Sequence, residues 1–431
     1  MVEQRLDSAN YVRRVVDDEL DELLLGLPAL SIEGPKGVGK TATAALRANS
    51  LIHLDRPSAV ELFEADPGRI TAVPEPVLID EWQRSPSSWD VVRRAVDENR
   101  RPARFLLTGS ASPQSPGTHS GAGRIVVVRM RPMTLVERGV AQPTVSLRAL
   151  LTGSRPDIIG SSTVGLEEYT SEIVRGGFPG MRAGSGRAQR AELDGYLARI
   201  VDRDIAGAGR SVRNPATMSS WLRAYAAATA TNASYEIIRD AATPGQSDKL
   251  AKSTTGPYRD TLTNVWIVEP VPGWSSTRNH LARLTVAPKH HLTDPCLAAR
   301  LLGVGAGALL DGESGGVALP RDGTLLGALF ESLVTLDVRV YAQANEATVS
   351  HFRTKAGDRE VDLIVSRDDQ RVVALEVKLS VSVTDNDVRH LLWLQERLGQ
   401  DLLDAAVITT GTDAYRRRDG IAVIPAALLG P

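Results

Sequence analysis

The segment Gly34-Pro35-Lys36-Gly37-Val38-Gly39-Lys40-Thr41 has the spacing G-x-x-x-x-G-K-T, and each fixed position in it has a chemical reason. Glycines let successive backbone N–H groups turn inward around a β-phosphate. The Lys40 ammonium supplies a point charge to the β- and γ-oxygens, and the Thr41 hydroxyl ligates Mg²⁺. A helix opening at the end of the loop adds its positive end. The expected ligands are therefore a nucleoside triphosphate and Mg²⁺. The loop alone leaves ATP and GTP open, although no guanine-reading Asn-Lys-x-Asp follows it.

Two further apolar runs end in polar residues that would face such a loop. Pro76-Val77-Leu78-Ile79 closes in Asp80 and Glu81. Asp80 is expected to hold Mg²⁺ through water, and Glu81 to orient or deprotonate the attacking water. Arg104-Phe105-Leu106-Leu107 closes in Thr108-Gly109-Ser110. Thr108 or Ser110 would bond the γ-phosphate or its water, or both are ordinary turn residues. Two arginines are candidate fingers for the developing charge on the phosphoryl group. Arg124 would act on its own or a neighbouring subunit or else pair with a carboxylate, and Arg203 has a structural Arg–Asp pair as its alternative.

The C-terminal part holds a second constellation. Glu331 lies on an expected helix, Leu326 to Val338, and Asp362 follows the alternating run Val349 to Phe352. In Val372-Val373-Ala374-Leu375-Glu376-Val377-Lys378 the acid and the lysine are two apart, so on a strand they share a face. Glu331, Asp362, Glu376 and the Val377 carbonyl are expected to surround Mg²⁺, with Lys378 stabilising a hydroxide or a pentacovalent phosphorus. The set resembles the core of restriction-type nucleases. The same Glu-x-Lys also arises from plain salt-bridged strand pairs.

The elements that must position these residues follow from pattern. Pro28 to Ile32 reads as a strand and Thr41 to Leu46 as a helix, which is the context the phosphate loop requires. The later apolar runs fit buried parallel strands. Tyr11 to Leu25 has the periodicity of an amphipathic helix with a solvated charged face. Ala188 to Ile205 reads as one helix. Three short helices (Ala216 to Thr229, Ser234 to Ala241, Ser253 to Leu262) precede the β-like run Val265 to Val271, a winged-helix order. That element would present Lys249, Lys252, Thr254 and Arg259 to a DNA major groove, or else act as a packing module. The Gly-rich stretch Gly303 to Gly327 would let the last domain swing.

At the level of whole motifs the chain resembles a large prokaryotic family of AAA-type ATPases. The resemblance is carried by Gly34 to Thr41, Leu78-Ile79-Asp80-Glu81-Trp82-Gln83, Phe105 to Ser110, Gly123-Arg124 and Arg131-Pro132-Met133-Thr134-Leu135-Val136-Glu137. It continues through Gly176-Gly177-Phe178-Pro179, Arg203-Asp204-Ile205, Lys289-His290-His291-Leu292-Thr293-Asp294 and Arg353 to Asp362. Such members join the ATPase domain to a C-terminal domain of unknown function. The resemblance implies ATP rather than GTP, and a winged-helix middle. The expected fold class is α/β: an AAA-like P-loop core over 1–152, a helical lid over 153–212, a winged helix over 213–302, a linker over 303–324 and a restriction-endonuclease-like domain over 325–431.

Composition constrains the rest. A length of 431 residues with 42% hydrophobic content suffices for several cores. A net charge of -2 argues against a globally basic nucleic-acid binder, so any DNA partner would be met by local arginine patches. A protein partner remains the other expectation. Cys296, being single, forms no internal disulfide, and His290, His291 and His351 have no zinc-site spacing. No apolar run is long enough for a membrane span and no signal-peptide core opens the chain, so a cytoplasmic setting is expected.

Overall fold

A computed structural model describes residues 11–110, 121–204, 215–243, 252–275, 286–311, 323–354 and 357–431. Five apolar runs form a parallel sheet: β1 (Ala29–Glu33), β2 (Ser50–His53), β3 (Val77–Asp80), β4 (Phe105–Gly109) and β5 (Val126–Arg129), in the order β2-β3-β4-β1-β5. β1, β3 and β4 are buried at every position because helices cover both faces. β4 lies between the phosphate-loop strand and the acidic strand, in register Ile32↔Thr108 and Asp80↔Thr108. The tips of β1, β3 and β4 therefore meet at one edge, outside the carboxyl ends of the strands.

The chain then crosses to a second sheet. β6 (Val145–Ser146) pairs with β15 (Leu429–Gly430) in a separate two-stranded sheet, and β7 (Gly160–Ser161) joins the larger sheet by pairing with β13 (Asp413–Arg416). The larger sheet also holds β8 (Gly273–Trp274), β9 (Thr348–Arg353), β10 (Glu360–Ser366), β11 (Val372–Lys378), β12 (Leu402–Thr409) and β14 (Ala422–Pro425). Its order is β7-β13-β14-β12-β11-β10-β9-β8, with β11, β12 and β14 parallel and β9, β10 and β11 antiparallel. The expected boundary at 152 thus falls inside a segment that already packs on the C-terminal sheet.

The middle of the chain is helical, with Leu166–Arg175, Gly186–Arg199, Pro215–Ala227, Tyr235–Ala241 and Lys252–Asn264. The expected helix Ala188 to Ile205 instead starts at Gly186, ends at Arg199 and continues as one π-helical turn, Ile200–Asp204. Val265 to Val271 is not a continuous strand. It meets 289–292 through two antiparallel bridges, Val268↔Leu292 and Val271↔Lys289.

One hydrophobic core joins these parts. It takes Leu30, Ile32, Leu78 and Leu106 from the first sheet, Trp221, Leu222 and Tyr225 from the middle helices, and Leu363, Leu375 and Ile408 from the second sheet. Leu329, Phe330, Leu333 and Val338 of the long helix Gly323–Gln343 belong to it as well. This corrects the expectation of a C-terminal domain swinging on Gly303 to Gly327. Residues 306–310 form a helix with Leu309 buried in the common core, and the helix that follows is anchored there too. Residues 312–322 lie outside the described residues. His290, His291 and His351 are buried packing residues, as is Cys296.

Candidate active site

The phosphate loop is shaped by its glycines. Gly37 and Gly39 have φ of +79° and +101°, left-handed conformations that side chains resist. Gly34 is excluded from substitution for a different reason: a Cβ there would stand 2.1 Å from the Met130 carbonyl oxygen at the end of β5. The turn aims Lys40 back across the loop, where its ammonium donates to the Gly34 and Pro35 carbonyls, both at 2.9 Å. Burial lowers its pKa to about 8 against the pull of Glu81 and Asp80. Phe178 lies against the loop near Gly37, and the Tyr196 hydroxyl donates to the Lys36 carbonyl at 3.2 Å. Arg14, ahead of the Val16–Gly26 helix, donates to the Val38 carbonyl at 2.7 Å and pairs with Glu137 at 3.0 Å.

Asp80 is the hub of the site. Its Oδ1 accepts the Thr41 hydroxyl at 2.7 Å and the Thr108 hydroxyl at 2.5 Å, while its Oδ2 faces His53 Nδ1 at 3.1 Å. Thr108, expected to touch phosphate or be a simple turn residue, is thus turned to Asp80. Ser110 accepts from Gln83 at 3.3 Å, and the same Gln83 amide donates to Glu81 Oε2. Glu81 follows the strand in a left-handed conformation, φ +56°, which costs a non-glycine residue about 1 kcal/mol or more. Among the described residues, His53, Asp55 and Asp80 form the one group of three His, Cys, Asp or Glu side chains whose ligand atoms lie within 4.8 Å of one another. Hard oxygen donors from Thr41 and Asp80 suit Mg²⁺.

Arg124 pairs with Asp97 at 2.8 Å, both side chains some 40% exposed. Arg203 lies in the turn Ile200–Asp204, and its side chain falls outside the described residues. A different arginine stands beside the loop: Arg129, at the end of β5, stacks 3.9 Å from the Trp266 ring and lies 3.7 Å from Glu269. Burial lowers its pKa to about 9, with Glu269 opposing.

The C-terminal constellation does come together, in an arrangement the sequence did not suggest. Lys378 donates to Glu376 Oε1 at 2.7 Å, and the Val377 N–H donates to Asp362 Oδ2 at 2.9 Å. The position expected for a metal ion among Glu331, Asp362 and Glu376 is met instead by a buried lysine. Lys289 Nζ lies 2.9 Å from Glu331 Oε1, 2.9 Å from Asp362 Oδ1 and 3.0 Å from Glu360 Oε1.

Motifs without evident chemistry turn out to be joints. Gly177 N–H donates to Asp294 Oδ2 at 2.8 Å, and Arg138 lies between Glu172 and Asp294 at 3.3 and 3.6 Å. Residues to which sequence reasoning gave no role in a site are Arg14, His53, Arg129 and Lys289, the last named only within a motif. His53 had a local signal, as the polar end of an apolar run in the manner of Asp80, with which it is in register.

Phosphate loop, acidic strand and parallel sheet have the arrangement of a P-loop domain. Residues 27–138 match the family model of an AAA domain. Residues 166–307 match a domain of unknown function (DUF8612) and 326–429 another (DUF4143). Two curated relatives, uncharacterized proteins of Mycobacterium bovis and Mycobacterium tuberculosis, are each 27% identical over 433 positions, covering 99% of this chain and 84% of the relative. Among solved structures, a Walker-type ATPase of Pyrococcus abyssi aligns with a TM-score of 0.40 and 16% identity, covering 69% of this chain and 98% of that one. Among the described residues no helix is long and apolar enough to cross a membrane.

Proposed function

We propose that the chain binds ATP with Mg²⁺ and hydrolyses the γ-phosphate at the edge where the phosphate loop meets the tips of β3 and β4. The carrying observation is Asp80, fixed on one oxygen by Thr41 and Thr108, with Glu81 beside it on a left-handed residue. Lys40 neutralises the β- and γ-oxygens. The Thr41 hydroxyl and Asp80 would hold Mg²⁺, which would supply positive charge to the phosphate oxygens. Glu81, oriented by Gln83, positions the attacking water and takes its proton. Lys40→Ala is expected to abolish ATP turnover. Glu81→Gln should lower kcat by about 10² to 10⁴ while ATP still binds. Unchanged turnover in Lys40→Ala would overturn the assignment.

For the rest of the chain the reading is an ATPase coupled to nucleic acid through a restriction-endonuclease-like C-terminal unit, in the cytoplasm. Its support is the helix carrying Glu331, the β10 and β11 strands and the paired Glu376 and Lys378. The winged-helix reading is supported by three helices followed by a two-bridge hairpin. Arg259, however, is taken up by Asp260 and the Tyr235 ring, while Lys249 and the Lys252 side chain lie outside the described residues. One observation favours the second reading, a signalling or scaffold ATPase with a silent C-terminal module that binds protein: Lys289 sits among the acids that cleavage would need free.

A further inference from the structure

Lys289 belongs to the middle region, yet its ammonium is buried in the acidic cluster of the C-terminal sheet. It is 1% exposed. The ammonium donates to Glu331 from the long helix and to Asp362 from β10, and a third carboxylate, Glu360 of β10, pairs with it at 3.0 Å. Asp362 has no oxygen left over, since its Oδ2 already accepts the Val377 N–H. Glu376 gives Oε1 to Lys378, whereas its Oε2 is buried without a hydrogen-bond partner. Four carboxylates face two ammoniums and the Arg353 guanidinium, 3.9 Å from Glu360, which leaves one formal negative charge when all are ionised, although burial pushes the Glu331 and Glu376 carboxyls up. A cluster with that excess attracts cations, and its chemistry is that of oxygen ligands for a hard divalent ion.

Such an ion and Lys289 exclude one another. Mg²⁺ needs its oxygens at about 2.1 Å in an octahedron, and those oxygens are the ones the ammonium holds. Two positive centres sharing them at ordinary hydrogen-bond and coordination distances would also repel strongly at low dielectric. The lysine is not free to drift aside. Its own N–H and C=O are paired with Val271 at 2.9 and 2.8 Å, and the following amide, of His290, donates to the Thr231 carbonyl at 2.9 Å.

We propose that the Lys289 ammonium is the resident cation of this cluster, an intramolecular stand-in for a divalent metal, so that the acids take up Mg²⁺ or Mn²⁺ only when Lys289 is withdrawn. The inference goes beyond the ATPase reading and does not depend on it. Withdrawal would have to act on the backbone pairing of Lys289 with Val271. Val271, the bridge partner of Lys289, is two residues from Glu269, which pairs with Arg131 at 2.8 Å and Arg129 at 3.7 Å beside the phosphate loop.

The test is Mn²⁺ titration of nucleotide-free protein, following free Mn²⁺ by electron paramagnetic resonance and stability by thermal unfolding. Wild type, Lys289→Met, Asp362→Asn and the double variant are compared. Any Mn²⁺ held at His53, Asp55 and Asp80 is common to all four and cancels in the comparison. Lys289→Met should bind one Mn²⁺ more per chain than wild type, and wild type should bind the same number as Asp362→Asn. The added site should vanish in the double variant, and Mn²⁺ should raise the Tm of Lys289→Met without moving that of wild type. Mn²⁺ binding by wild type that Asp362→Asn removes would overturn the proposal, as would a Lys289→Met that folds and gains no site. If Lys289→Met does not fold, Lys289→Met/Glu331→Gln, with one buried charge fewer, replaces it. The wild-type comparison with Asp362→Asn decides independently of either.

Discussion

Two buried lysines among the described residues, Lys40 and Lys289, have the same side chain and opposite surroundings. Lys40 donates to two main-chain carbonyls, and burial brings its pKa down to about 8. Lys289 is buried as deeply, but Asp362, Glu331 and Glu360 outweigh the cost of burial and hold its pKa well above that of a free lysine. The first therefore has its charge to offer to an anion. The second spends its charge inside the fold, where it neutralises acids that would otherwise repel one another. A binding lysine and a structural lysine are told apart by what their N–H groups already meet.

The strongest way to break that contrast is to remove each charge and measure stability without ligand. Lys289→Met leaves buried carboxylates unmatched and should cost about 3 to 5 kcal/mol in urea unfolding, the range for breaking a buried pair. Lys40→Met removes a charge that folding strains, so the unliganded protein should be as stable as wild type or more so. Equal losses in the two variants would show that burial alone, and not the neighbours, governs both.

How much of this was legible beforehand follows from the range of each signal. The phosphate loop is eight contiguous residues whose spacing reports its own geometry, and Asp80 and Glu81 close a short apolar run fit for a buried strand. The contact of Thr108 with Asp80 depends on β4 lying between β1 and β3, an order that the succession of runs does not contain. The crossing of 145–161 to the C-terminal sheet rests on two-residue strands, too short to show a period of two. Lys289 was visible as part of a motif, but its partners Glu331 and Asp362 lie 42 and 73 residues further on. A charge in a sequence does not name its counter-charge.

A smaller effect comes from a buried acid on the helix that carries Glu331. Asp337 accepts the Leu135 N–H on both oxygens at 3.3 Å, and burial pushes its pKa up to about 8 although Arg138 pulls the other way. The folded state then keeps a proton that the unfolded state releases near pH 4, so stability falls as pH rises between about 4 and about 8, by at most about 1.4 kcal/mol per pH unit. Asp337→Asn keeps an oxygen for Leu135 and has no proton to lose. Its unfolding free energy should change less with pH across that window and exceed that of wild type at pH 8. Parallel pH profiles would place the sensitivity elsewhere, Glu331 being the first alternative.

Arg124 completes the series of cations, being neither buried nor surrounded. Its guanidinium meets one carboxylate, Asp97, at 2.8 Å, on a surface where water competes for both charges. Exposed pairs of this kind contribute about 0.2 to 1 kcal/mol, so Arg124→Ala should shift stability only within that range. Its effect on catalysis is the sharper measurement. An arginine that reaches the transferring phosphoryl group is worth about 10³ or more in kcat, whereas one engaged by Asp97 contributes almost nothing. Turnover within about twofold of wild type, at low and high protein concentration alike, is the expected result. A thousandfold loss confined to concentrated protein would instead make Arg124 a finger lent between subunits, with the Asp97 pair as its resting place, and the contrast between buried and exposed cations would no longer sort this chain's charges by function.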